Sequence, residues 1–139
     1  MNARTGVAAV ALALALAGCA SSPFSRAARC EGSGVCRIEV RVADCRPDVV
    51  PDVLHVFGRN REIHWDIVDS PGYAFDDPGI EFKDDPANEF DNAQRPQPTK
   101  YIVHDKNSFA SDEPYRYGLR LSRNGAQCPP TDPGIINHG

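Results

Sequence analysis

The residues best suited to chemistry are the histidines, the cysteines and one run of acids. The histidines are His55, His64, His104 and His138. Neutral imidazole suits copper and zinc, so convergence of His55, His64 and His104 would make a periplasmic carrier of either metal. Their spacing enforces no convergence, and the first expectation is no metal centre. Between Asp76 and Asp91 stand Asp76, Asp77, Glu81, Asp84, Asp85, Glu89 and Asp91, with Lys83 the lone cation. Closely spaced oxygen ligands suit calcium. The D-x-[DN]-x-[DN]-G loop is missing, however, and Pro78 and Pro86 interrupt the run, so a solvated acidic loop is expected. G-x-S-x-G, H-E-x-x-H and Walker motifs are missing too. No catalytic residue is nominated, no cofactor is called for, and the expected role is non-enzymatic.

The cysteines read differently. Cys19 closes the tetrapeptide Leu16-Ala17-Gly18-Cys19, after a short segment with Arg4 and the apolar run Val7–Ala17. That run has eleven residues, against about 20 for a membrane-spanning helix. It reads as the apolar core of an export signal. The tetrapeptide resembles the lipobox of bacterial lipoproteins. The resemblance implies cleavage before Cys19, acylation of Cys19 and a lipid anchor in the membrane. Several acyl chains hold stably where one does not. Ala20 in place of an aspartate implies, by the same resemblance, the outer membrane, and its periplasmic face is the expected location.

Cys30, Cys36, Cys45 and Cys128 remain. An even count in an exported chain reads as two disulfides, with three pairings open. The Cys30–Cys36–Cys45 spacing fits no zinc pattern. The expected organisation is a signal over 1–18, a lipidated cysteine and tether over 19–29, and a disulfide-braced domain over 30–139.

Elements must hold these residues in place. Removing 1–18 leaves 121 residues, with 14 basic and 19 acidic side chains. The negative balance supplies no footprint for nucleic acid. Valine and isoleucine count sixteen there against three leucines, which favours strands over helices. Strict alternation marks Cys36–Ala43, with Ile38, Val40 and Val42 on one face. It marks Arg61–Val68 as well, with Ile63, Trp65 and Ile67 inward and Glu62, His64 and Asp66 outward. Trp65 is a core anchor on this pattern. Further strands are expected at Val53–Phe57, Tyr73–Phe75, Gly79–Phe82, Thr99–Asp105 and Tyr115–Ser122. In the last, Tyr115 and Tyr117 share a face with Leu119 and Leu121. Asp44–Asp52 reads as a turn or crossover, and Asp84–Pro98 as a loop with one helical turn. Six or seven short strands without a helical period make an all-β, antiparallel β-sandwich.

Cys36-Arg-Ile-Glu-Val, Ile63-His-Trp-Asp-Ile, Tyr73-Ala-Phe with Gly79-Ile-Glu-Phe, Tyr115-Arg-Tyr-Gly-Leu, and Cys128 with Asp132-Pro133 occur in that order. Over roughly Cys36–Asn137 the order resembles small exported proteins with a cupredoxin-like sandwich. An immunoglobulin-like sandwich is the alternative. The blue-copper thiolate, two imidazoles and axial ligand are not matched after Cys128, and Met1 is the lone methionine. The expectation is a fold without its copper. The reading is a cell-envelope lipoprotein whose domain binds an envelope protein or a small ligand, with metal carriage as the alternative.

Overall fold

The computed structural model describes residues 26–32 and 34–139. The expected signal, Cys19 and the tether up to residue 25 lie outside the described residues. Eleven strands and no helix form the described chain: β1 Ala27–Cys30, β2 Cys36–Ala43, β3 Arg46–Val50, β4 Val53–Val56, β5 Arg61–Ile67, β6 Tyr73–Phe82, β7 Phe90–Gln97, β8 Lys100–Asp105, β9 Tyr115–Arg123, β10 Ala126–Gln127 and β11 Gly134–Asn137.

They form two packed sheets. One runs β3-β2-β5-β8-β7; the other runs β1-β4-β11-β9-β10, with β6 also on β9. Both are mixed. β1 and β11 lie parallel to β4, and β2 lies parallel to β5. The purely antiparallel expectation is therefore corrected. Hairpins such as β2–β3 force antiparallel pairing. The chain from β2 to β5 instead passes through β4 in the opposite sheet, and so it can return in the same direction.

The strand count is also corrected, from six or seven to eleven. Two of the additional strands sit where prolines argued against them. β3 contains Pro47 and β7 contains Pro96, and both are edge strands, where a missing N–H is tolerated. Tyr73–Phe75 and Gly79–Phe82 are one strand, β6, irregular between Phe75 and Ile80. Beyond Tyr115–Ser122, the last strand expected, the chain adds β10 and β11. Three residues assigned to the tether, Ala27 to Arg29, belong to β1 and pair with Val53 to His55.

The core follows the alternation. Ile38, Val40, Ile63, Trp65, Val103, Tyr117, Leu119, Leu121 and Ile135 are buried between the sheets. Trp65 from one sheet meets Tyr117 from the other edge to face, ring centroids 5.4 Å apart, and its Nε1 donates to the Tyr117 hydroxyl at 3.1 Å. Burial pushes the Tyr117 hydroxyl well above the ordinary tyrosine range. Tyr115 packs on the edge of the same core.

Two disulfides close the domain: Cys30–Cys36 and Cys45–Cys128. Cys36 opens β2, and Cys45 follows its end by two residues, so the bridges mark opposite ends of the sandwich.

Candidate functional site

The histidines do not converge as the metal reading required. His55 lies in β4 of one sheet; His64 and His104 lie in β5 and β8 of the other. Alternation turns each of them away from the core, which leaves His55 on the opposite outer surface from the other two. His64 Nε2 lies 3.0 Å from Glu62 Oε2, and His104 Nδ1 lies 2.7 Å from Asp91 Oδ1. The His104 contact, with help from Lys106, holds the Asp91 carboxyl below the usual carboxylate range. Next to them Asp66 pairs with Lys100 at 2.8 Å and with Arg37 at 3.5 Å. This face is a lattice of internal polar and ionic contacts, most of them the cross-strand pairing that stabilises a wet sheet surface.

His55 finds a different partner. Its Nδ1 lies 3.0 Å from Nε2 of His138, which stacks on Phe57 at 4.1 Å between ring centroids. The Arg29 guanidinium covers the same Phe57 ring at 4.3 Å. The parallel β4–β11 pairing brings these residues together, and no sequence spacing encodes that.

The acids of 76–91 are spread over many partners. Asp76 accepts from Ser122, Glu81 faces Arg120, and Lys83 pairs with Asp132. Asp85 accepts the Glu89 and Phe90 backbone amides, and Glu89 accepts that of Ser108. Among the described residues no group of three His, Cys, Asp or Glu side chains is arranged to hold a metal ion. The blue-copper ligand set that the fold resemblance implies does not fit either. The Cys128 sulfur is bonded to Cys45, so it supplies no thiolate.

Two grooves carry the remaining polar groups. The first, about 440 Å³, runs along β3, the start of β4 and β9. Arg26, Asp48, Asp52, Arg116, Thr131 and Asp132 line it. Arg26 pairs with Asp48, and Arg116 donates to the Asp132 carbonyl at 3.1 Å. These pairings hold the carboxyls of Asp48, beside Arg26, and of Asp132, beside Lys83, below their ordinary range. Thr131 Oγ1 is buried without a hydrogen-bond partner among the described residues. The second groove, about 540 Å³, lies at the Cys30–Cys36 end and is lined by Gly32, Gly34, Gly58, Arg59, Arg61 and Glu62, among others.

The sequence reading missed a buried polar cluster at that same end. Arg61, Asp105, Asn107 and Asn137 are all buried. Asp105 Oδ1 accepts from the Asn107 amide at 2.9 Å and from Asn137 Nδ2 at 3.0 Å. Asn107 Nδ2 donates to the carbonyls of Val56 and Gly58. Desolvation pushes the Asp105 carboxyl up to about 6. One signal was legible: Arg61 shares strand parity with Ile63 and Trp65, as Asp105 does with Tyr101 and Val103, so both charges stand on inward faces.

No protein-family model and no curated protein matches this chain.

Proposed function

We propose that this chain is a cell-envelope lipoprotein, held by acylated Cys19 at the periplasmic face of the outer membrane. Its sandwich is a non-catalytic binding or interaction module for an envelope protein or small ligand. The single observation that carries the binding role is the first groove, where Arg26, Asp48, Arg116 and Asp132 border a recess of about 440 Å³. Alternating charges with fixed partners give a surface orientation and specificity more than raw affinity. Arg26 lies seven residues after Cys19, a reach of at most about 25 Å. That keeps the groove within range of the membrane surface. The fold is cupredoxin-like on this reading. The parallel β2–β5 and β4–β11 pairs support it over an immunoglobulin-like sandwich, whose two sheets are antiparallel.

The test has two arms. In fractionated envelopes the parent chain should carry acyl mass on Cys19 and travel with the outer membrane, while Cys19→Ser should be released to the periplasm. A photo-crosslinking residue at Asp132 should give a discrete adduct in intact envelopes, and the same residue at Asn124 in the β9–β10 turn should not. Equal labelling from both positions, or none, would sink the groove as the binding site.

One observation favours a second reading, carriage of copper or zinc. The His55 and His138 ring nitrogens stand 3.0 Å apart, a few tenths of an ångström short of the roughly 3.3 Å that separates two nitrogens on one tetrahedral ion. Zinc titration of the parent chain and of His55→Ala with His138→Ala separates the readings. No uptake by the parent chain would end the second one, and uptake that survives loss of both imidazoles would take it away from this pair.

A further inference from the structure

Among the described residues Arg61 is a charge without a counter-charge. It opens β5, alternation turns it inward, and it is 4% exposed. Among the described residues no carboxylate lies within ion-pairing distance of it, and its Nε has no hydrogen-bond partner. Its contacts are to sulfur: Nη2 lies 3.2 Å from Cys30 Sγ and 3.9 Å from Cys36 Sγ. Asp105 stands opposite in β8; its Oδ1 accepts from Asn107 and Asn137, and its Oδ2, without a partner among the described residues, makes no ion pair with Arg61. The other charges around this end are spent or peripheral. Glu62 is taken by His64, Arg29 by Glu31, and Arg59 borders the groove. A buried cation is costly unless an anion compensates it, and disulfide sulfur is a weak acceptor. Reduction of the neighbouring disulfide creates the missing anion.

We propose that the Cys30–Cys36 disulfide is a thiol–disulfide exchange site, opened by an external dithiol, at which Arg61 holds the released thiolate. The groove beside it provides the approach. Among the described residues nothing lies within 4 Å of a side-chain atom added at Gly32 or Gly34, which leaves room for an incoming thiol on that side. Cys30 is half-buried and Cys36 is buried, so attack falls on Cys30 Sγ. One thiolate of the dithiol bonds to that sulfur. The Cys30–Cys36 bond breaks, and its electron pair leaves on Cys36. The second thiolate of the dithiol then attacks its own sulfur in the mixed disulfide, and Cys30 leaves as thiolate. The dithiol is oxidised to a cyclic disulfide and the protein is reduced by two electrons. Of the two protons shed by the dithiol, one goes to solvent and one to buried Cys36. The charge rests on Cys30, the sulfur nearest Arg61. A guanidinium beside a thiolate lowers the pKa of that thiol and makes it a better leaving group.

The experiment takes the full oxidised chain in detergent micelles, adds dithiothreitol at neutral pH, quenches with acid and maps each cysteine by alkylation and mass spectrometry. Cys30–Cys36 should open at least about tenfold faster than Cys45–Cys128. In the reduced chain one thiol of the pair should alkylate with a pKa below the ordinary value of about 8.5. Arg61→Gln should slow opening about tenfold and return that pKa toward its ordinary value, and Arg61→Lys should restore part of both. Equal opening of the two disulfides, or unchanged kinetics in Arg61→Gln, overturns the proposal. Should Arg61→Gln fail to fold, the unaltered chain decides: a thiol pKa at or above about 8.5 overturns it, and a lower one upholds it.

Discussion

β2 runs from one disulfide to the other, and the two ends it joins are made of different material. At the Cys45–Cys128 end most buried polar groups are paired, with Thr131 Oγ1, three residues beyond Cys128, the exception among the described residues. Ser70 Oγ accepts the Val42 amide and donates to the Val68 carbonyl, both at 2.7 Å. The Tyr73 hydroxyl accepts the Cys45 amide at 3.0 Å. Around them lie Val42, Ile67, Phe75 and Leu121, all buried. At the Cys30–Cys36 end Arg61, Asp105, Asn107 and Asn137 take the place of such residues. There Arg61 Nε, Asp105 Oδ2 and Asn137 Oδ1 have no partner among the described residues. A buried polar atom left unpaired costs about 1–3 kcal/mol. The first end therefore holds the fold together, while the second holds charge in place at a cost in stability. Strained or under-satisfied groups gather where a protein uses them.

The disulfides give the largest test of this contrast. Cys45 and Cys128 are 83 residues apart, Cys30 and Cys36 only 6. Constraining an unfolded loop stabilises by an amount that grows with the logarithm of its length. Replacing Cys45 and Cys128 by alanine should cost about 4.5 kcal/mol; replacing Cys30 and Cys36 should cost about 2.5. Urea melts of both double variants against the oxidised parent measure the difference. Equal losses would mean that the two ends contribute alike.

Asp105 gives the next test. Its carboxyl sits at about 6 in the fold against an ordinary 3.8. Between those values the folded chain holds a proton that the unfolded chain has released. Stability is thus greatest below the lower value and falls as pH rises through the upper one. At neutral pH the ionised carboxylate costs about 3 kcal/mol. Asp105→Asn keeps an acceptor for Asn107 and Asn137 and removes the titration. Its stability should be flat from pH 4 to 7, and at pH 7 it should exceed that of the parent. Melts across that range check the slope. A parent curve that rises with pH would show that the cluster welcomes the charge.

Legibility in the sequence divides along the same line. The Cys45–Cys128 end was readable because its signals are local. Ser70-Pro71-Gly72 announces a turn, and Gly72 takes φ +84° there. The alternation through Tyr73, Phe75 and Leu121 sets an apolar face. All-β architecture and the buried Trp65 were readable on the same grounds. The mixed pairing was not. Parallel contact of β4 with β11 joins residues about 80 positions apart, and alternation states a face without naming the neighbour. For that reason the His55–His138 contact was invisible, and His55 was grouped with two histidines on another sheet. β3 and β7 were hidden by their prolines. Arg61 and Asp105 stand at inward positions of the same alternation, at strand ends where the pattern alone does not say that a charge is buried.

The smallest effect probes the closed end through a single hydroxyl. Tyr73 is buried, and its ring packs under the Arg123 guanidinium, 5.3 Å from the ring centroid. Its hydroxyl meets the Cys45 amide, which sits where the chain turns with φ +57° just before the bridge to Cys128. Tyr73→Phe keeps the ring and the volume and removes one acceptor. The loss should be about 1 kcal/mol, read as a lower urea midpoint with an unchanged slope. Because Cys45 stays bonded to Cys128, the amide cannot simply swing to solvent, so the cost should be larger with the disulfide intact than in a Cys45→Ala, Cys128→Ala background. A double-mutant cycle measures that coupling. Coupling near zero would mean that the hydrogen bond and the bridge stabilise independently. A positive coupling would show that the end closes as one unit, which the Cys30–Cys36 end, with its unpaired atoms, is not built to do.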